Sequence, residues 1–112
     1  MEYVPENEVL ITVGGSEAID IGLRAMVNPG DEVIIPSPYW INYRHMTEML
    51  NGVPVLVDAK YDNDFIVSAE DVANAISDKT KAIIINSPNN PTGTVYDFEA
   101  LSAIGKLAIK ND

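Results

Sequence analysis

Apolar residues in this chain follow two rhythms. Val9-Leu10-Ile11-Thr12-Val13, Glu32-Val33-Ile34-Ile35-Pro36, Val53-Pro54-Val55-Leu56-Val57-Asp58 and Thr80 to Ile85 are short, β-branched runs, the pattern of strands buried on both faces. Pro54 stands near the start of its run, where a missing donor costs least. Between the runs, apolar positions recur at helical spacing. Ile19, Leu23, Met26 and Val27 mark one helix, Ile41 to Leu50 a second, Val72, Ala73 and Ile76 a third, and Phe98, Leu101, Ile104, Leu107 and Ala108 a fourth. Punctuation agrees with these bounds: Gly14-Gly15, Asn28-Pro29-Gly30-Asp31 and Asn51-Gly52 break the pattern, while Ser68-Ala69-Glu70-Asp71 and Asp97 read as helix caps.

Strands alternating with amphipathic helices predict an α/β fold: a three-layer α/β/α arrangement with a mostly parallel sheet and right-handed crossovers. Residues 1–112 fit a single domain or part of one, with a core burying roughly two thirds of the unfolded surface. Seventeen acidic against seven basic residues give a net charge of −10, which repels phosphate backbones and anionic lipid and argues against nucleic acid or membrane as a partner. The absence of cysteine removes disulfides, thiolate metal sites and a cysteine nucleophile, and fits a reducing compartment, with the cytoplasm as the default location. Apolar stretches fall far short of the roughly 20 residues of a spanning helix, and the acidic start Met1-Glu2-Tyr3 is unlike a signal peptide.

Three segments carry candidate chemistry. Asn86-Ser87-Pro88-Asn89-Asn90-Pro91-Thr92-Gly93 follows directly on a strand, where α/β proteins place ligands, although such a cluster is also an ordinary turn composition. Gly14-Gly15-Ser16 joins a strand to a helix N-terminus, whose free N–H groups and positive dipole end attract phosphate; it equally suits a tight turn with a serine cap. Ser37-Pro38-Tyr39-Trp40-Ile41-Asn42-Tyr43 sets the single tryptophan just past a strand end, as a flat wall for a planar ring or as core packing. Ser16 and Ile19 stand where a dinucleotide fingerprint needs glycines, and no lysine is placed for a Walker loop. His45 has no second histidine or cysteine to share a metal and reads as surface or packing, and no Ser-His-Asp arrangement stands out.

Together, in this order and at this spacing, Gly-Gly-Ser-Glu-Ala, Asn-Pro-Gly-Asp-Glu-Val, Ser-Pro-Tyr-Trp-Ile-Asn-Tyr and Asn-Ser-Pro-Asn-Asn-Pro-Thr-Gly-Thr-Val-Tyr closely resemble the large domain of fold-type-I aminotransferases that use pyridoxal phosphate, most of all the aspartate aminotransferase branch. The resemblance runs from Val9 to about Lys110. It implies that Gly14, Gly15 and Ser16 hold the cofactor phosphate, that Trp40 stacks on the pyridine ring, and that Asn90 bonds the ring's 3-hydroxyl oxygen, with Trp40 and Asn90 beside the substrate. It also implies cis peptide bonds at Ser37-Pro38 and Asn90-Pro91.

The same resemblance implies what lies outside the chain. The family's Schiff-base lysine, the aspartate on the pyridine nitrogen and the arginine on the substrate carboxylate belong beyond residue 112, so the chain compares with about a quarter to a third of a full-length enzyme. No catalytic residue is assigned within it, and alone it is expected to be inactive and to bind the cofactor weakly. The implied parent exchanges an amino group between an amino acid and a 2-oxo acid, as a homodimer. Alternatives are a non-catalytic binding module and a lyase or synthase of the same cofactor family; which amino acid is the substrate stays open. The family sheet, ordered 3-2-4-5-6-7-1, would leave strands 3, 2 and 4 adjacent here and strand 1 without a partner. Val9–Val13 is therefore expected either to re-pair with Thr80–Ile85 or to drive association with another chain.

Overall fold

The computed structural model describes residues 3–111, so the start at Met1-Glu2 lies outside it. Its centre is β1 (Glu32–Ser37), flanked by β2 (Val53–Asp58) and β3 (Thr80–Ile83), all parallel, in the order β2-β1-β3. These are the three neighbours expected from the resemblance. The β1–β2 register is unbroken from Glu32 opposite Val53 to Ser37 opposite Asp58. On the other side Glu32 faces Thr80 and Val33 faces Ala82, so Lys81 is an extra, bulged residue.

Val33, Ile34 and Ile35 are each 0% exposed. Successive side chains on a strand point to opposite faces, and the core divides accordingly. Ile34 joins Val57, Val67, Val72, Tyr96 and Ile104, beneath α4 (Ala69–Ala75) and α5 (Phe98–Asn111). Val33 and Ile35 join Leu23, Val27 and Tyr43, beneath α2 (Gly14–Met26) and α3 (Asn42–Met49). The predicted three layers follow from this alternation.

Helix ends match their sequence signals closely. Ser68 accepts from the Asp71 amide at 3.0 Å while the Asp71 carboxylate accepts from the Ser68 amide at 3.0 Å, a reciprocal cap for α4. Asp97 accepts from the Ala100 amide at 2.7 Å and opens α5. After α3, Asn51 turns left-handed (φ 58°) and Gly52 follows it into a gap where a Cβ would come within 3.0 Å of Val27 and 3.1 Å of Thr47. A side chain there would press on Val27 and Thr47, which would have to give by a few tenths of an ångström. Among the described residues no helix is long and apolar enough to cross a membrane.

Two expectations need correction. Val9–Val13 is not a strand: it follows the one-turn helix α1 (Pro5–Glu8) as unpaired chain, with Ile11 94% and Val13 90% exposed. It has not re-paired with Thr80–Ile83 either. β-branched residues favour extended backbone, but the preference is realised through cross-strand neighbours, and this segment has none. The predicted strand to Ile85 ends at Ile83, although the Ile84 amide still donates to the Ile34 carbonyl at 3.0 Å.

Ile34→Ala should lower unfolding free energy by about 2–5 kcal/mol, whereas Ile11→Ala should change it by less than about 0.5 kcal/mol; urea titration of both variants checks the contrast. The Ser68 hydrogen bonds hold the Asp71 carboxyl below its usual pKa. A depressed folded value stabilises above the ordinary carboxylate range and is lost as pH falls through the folded value. Ser68→Ala should therefore cost about 1 kcal/mol at pH 7, and the gap between the two proteins should narrow in acid urea titrations.

Candidate functional site

Because the three strands are parallel, Ser37, Asp58 and Ile83 end on one side of the sheet, the side where open α/β sheets bind ligands. Helix α2 returns to that side. Its C-terminal end feeds through residues 28–31 into the start of β1, and Ile19, Leu23 and Val27 pack in the same cluster as Val33 and Ile35. Thirteen helical residues cover about 20 Å, as do six strand residues, so α2 is long enough for Gly14–Ser16 to reach the level of the carboxyl ends.

At this helix mouth the N-cap residue, Val13, offers no side-chain cap. Helix geometry leaves the first amides without intrahelical acceptors, but the Gly14 amide already donates to the Thr12 carbonyl at 3.0 Å. The amides of Gly15 and Ser16 are the ones left for a ligand. Gly14 has φ +79°, and a Cβ on either glycine would meet nothing within 4 Å. Packing within the chain does not demand bare backbone at Gly15; the opening it leaves is room for something else. Glu17, whose carboxylate accepts from the Val13 amide, adds a negative charge in the same turn. The two ion pairs among the described residues, Arg24–Asp20 and Arg44–Glu48 (both 2.8 Å), join residues one turn apart along α2 and α3 and bring no cation to this first turn.

Trp40 and Asn90 stand on two proline-bearing loops. The Ser37-Pro38 and Asn90-Pro91 bonds are cis as expected, and Ser87-Pro88 is cis as well. Trp40 is half-buried, packs on the α2/α3 cluster and meets Tyr43 edge-on, with ring centroids 5.4 Å apart at 84°. Burial pushes the Tyr43 phenol above its usual pKa. The Trp40 carbonyl accepts from the Tyr43 amide at 3.0 Å, so the ring sits at the threshold of α3. Asn90 is exposed; its backbone amide donates to the Asn86 side chain at 2.7 Å, and its carboxamide has no partner among the described residues.

Sequence reasoning missed Asn89. Its carboxamide nitrogen donates to the Pro38 carbonyl at 3.0 Å and to the Thr92 hydroxyl at 2.9 Å, while its backbone amide donates to Thr94 at 2.8 Å. The loop is further anchored where the Thr94 hydroxyl donates to the Asp64 carbonyl at 2.7 Å and the Tyr96 amide donates to the Ser87 hydroxyl at 3.0 Å. Nothing in the string Asn89-Asn90 separates the inward amide from the outward one; only the tertiary contact does. A narrow crevice, with room for about one water molecule, lies between the loops and is walled by Ser37, Pro38, Tyr39, Asn86, Asn89 and Tyr96, among others. None of Gly14, Gly15, Ser16, Trp40 and Asn90 lines it.

A parallel α/β/α sandwich with an open glycine helix mouth and two proline loops at its carboxyl edge is a ligand-binding class of fold. A family model described as aminotransferase class I and II matches residues 1–112, and the chain belongs to that family. It is 46% identical over all 112 residues to an aspartate aminotransferase of Bacillus sp. (strain YM-2), of which it covers 28%. Among solved structures, the Thermus thermophilus aspartate aminotransferase with maleate superposes with TM-score 0.88 at 46% identity, over 90% of this chain and 26% of that one. An aromatic aminotransferase from Pyrococcus horikoshii OT3 gives TM-score 0.96 at 33% identity, over 99% of this chain and 30% of that one. The chain thus spans less than a third of the length of these relatives.

The charge in the first turn of α2 yields a prediction. Glu17→Gln should tighten inorganic phosphate binding up to about fivefold, the size of one charge acting at a helix end; titration followed by the amide NMR signals of Gly15 and Ser16 checks it.

Proposed function

We propose that this chain is the part of an amino-acid aminotransferase that holds pyridoxal phosphate by its phosphate, its ring face and its 3-oxygen. The observations that support the reading are the Gly15 and Ser16 amides at the start of α2, a half-buried indole and an exposed Asn90 carboxamide that has no partner among the described residues. The open space at Gly14 and Gly15 and the free carboxamide of Asn90 fit such a group. When bound, the cofactor supplies the electron sink that lets an amino acid release its α-proton. The residues of this chain bind and orient. Amides of Gly15 and Ser16, with Gly14 shaping the turn and the Ser16 hydroxyl adding a donor, receive the phosphate. Trp40 walls one face of the ring. Asn90 donates to the ring's 3-oxygen and favours its ionised form, and Trp40 and Asn90 border the substrate.

The lysine that carries the cofactor in the family is expected outside these residues, as is a cation for the phosphate. With Glu17 beside the mouth and net charge −10, the chain by itself is expected to bind the cofactor weakly and not to transaminate. The parent's substrates are an amino acid and a 2-oxo acid; a homodimeric, cytoplasmic parent completes the reading, and the exposed Val9–Val13 segment is a surface through which the chain alone self-associates.

In the full-length parent, Asn90→Ala should reduce kcat/KM for amino-group exchange by about 10- to 100-fold, the loss of one hydrogen bond to a charged atom. Steady-state assays with paired amino and 2-oxo acids check this. Ammonia release or carbon–sulfur cleavage in place of exchange would assign the parent to a lyase, and no reaction with bound cofactor would favour a non-catalytic module.

A further inference from the structure

We propose that Asn89 is a positioning residue whose carboxamide clasps the Trp40 loop to the Asn90 loop and so sets the indole relative to the Asn90 carboxamide. The inference rests on the cofactor reading above and adds to it a residue that touches neither ring nor substrate.

An amide nitrogen carries two protons, and both are engaged: one inside its own loop, on the Thr92 hydroxyl, and one across to the Pro38 carbonyl, two residues before Trp40. The backbone of Asn89 is fixed at both groups, its N–H on Thr94 and its carbonyl under the Gly93 amide, each at 2.8 Å. Among the described residues the Asn89–Pro38 bond is the only hydrogen bond joining residues 37–41 to residues 86–94. Both loops are stiff, because Pro36 and Pro38 restrict one and Pro88 and Pro91 the other. Between two stiff bodies already packed around one crevice, the single hydrogen bond that joins them limits how far they can shift apart, and Asn90, the next residue along, depends for its place on Asn89. Its own amide is held by Asn86, which leaves the Asn90 carboxamide to follow the loop as a whole.

The test uses the full-length holoenzyme with Asn89→Ala, Asn89→Asp and Thr92→Val, the last removing one anchor while leaving the Pro38 bond. Three quantities are read: the dissociation constant of pyridoxal phosphate by dialysis, the pH midpoint of the bound cofactor's visible absorbance, and the melting temperature. Removing the clasp should weaken cofactor binding about tenfold, the scale of one lost hydrogen bond, and should raise the absorbance midpoint, because a less well-aimed Asn90 stabilises the ionised oxygen less. Thr92→Val should move both in the same direction by less. If Asn89 acts through Asn90, the midpoint shift of Asn89→Ala should vanish in an Asn90→Ala background. An unchanged midpoint and affinity with a lowered melting temperature would reduce Asn89 to a structural part of its loop and overturn the inference while the cofactor reading stands. A wild-type protein that fails to bind pyridoxal phosphate would overturn both.

Discussion

Complete burial of three consecutive residues, Val33, Ile34 and Ile35, is the constraint on which this structure turns. A strand that is apolar at every position cannot leave either face in water, so it must be paired on both edges and covered above and below. Each of the three contributes about 1.5–3 kcal/mol of burial free energy, which no surface contact in the chain approaches. β2 and β3 take the two edges, and the pleat sends Ile34 toward α4 and α5 and its neighbours toward α2 and α3. The position of the loops is a consequence, since parallel strands bring every strand exit to one end.

That end is built from two kinds of material. The helix mouth works through backbone: amides with no internal acceptor, glycines that leave open space, and an adjacent carboxylate that opposes a bound anion. The loops work through side chains on proline-stiffened backbone, with Trp40 packed into the core and Asn90 facing solvent. The crevice that the loops enclose belongs to their own packing and not to the site. Orientation comes from that packing, and affinity from groups left without partners. The chain that carries these groups spans less than a third of the length of the relatives it matches.

The helices and their caps were legible in the sequence because their causes are local. The Ser68–Asp71 box, the Asp97 cap and the Asn51-Gly52 stop each act within a few residues. The central strands were legible because unbroken apolar runs have few other fates. Val9–Val13 misled for the opposite reason. Its composition is that of a strand, yet a strand exists only with a neighbour, and composition does not state whether a neighbour is present. The proline loops were expected at strand exits and lie there, but the unpaired chain ahead of Gly14, the Gly14 amide bonded to Thr12 and the inward turn of Asn89 were not legible.

By itself the sequence determined the layered α/β class, the punctuation between elements and the family, since periodicity, turn residues and family motifs are properties of a linear string. Tertiary structure alone decided which apolar run stayed unpaired, which of two adjacent asparagines turned inward to bond the other loop and which stayed exposed, and which helix-mouth amides were left without an acceptor. Those outcomes depend on acceptors brought close across the fold, as the Pro38 carbonyl meets Asn89 across 51 positions of chain, and hydrogen bonding is decided by distance in space and not by order in sequence.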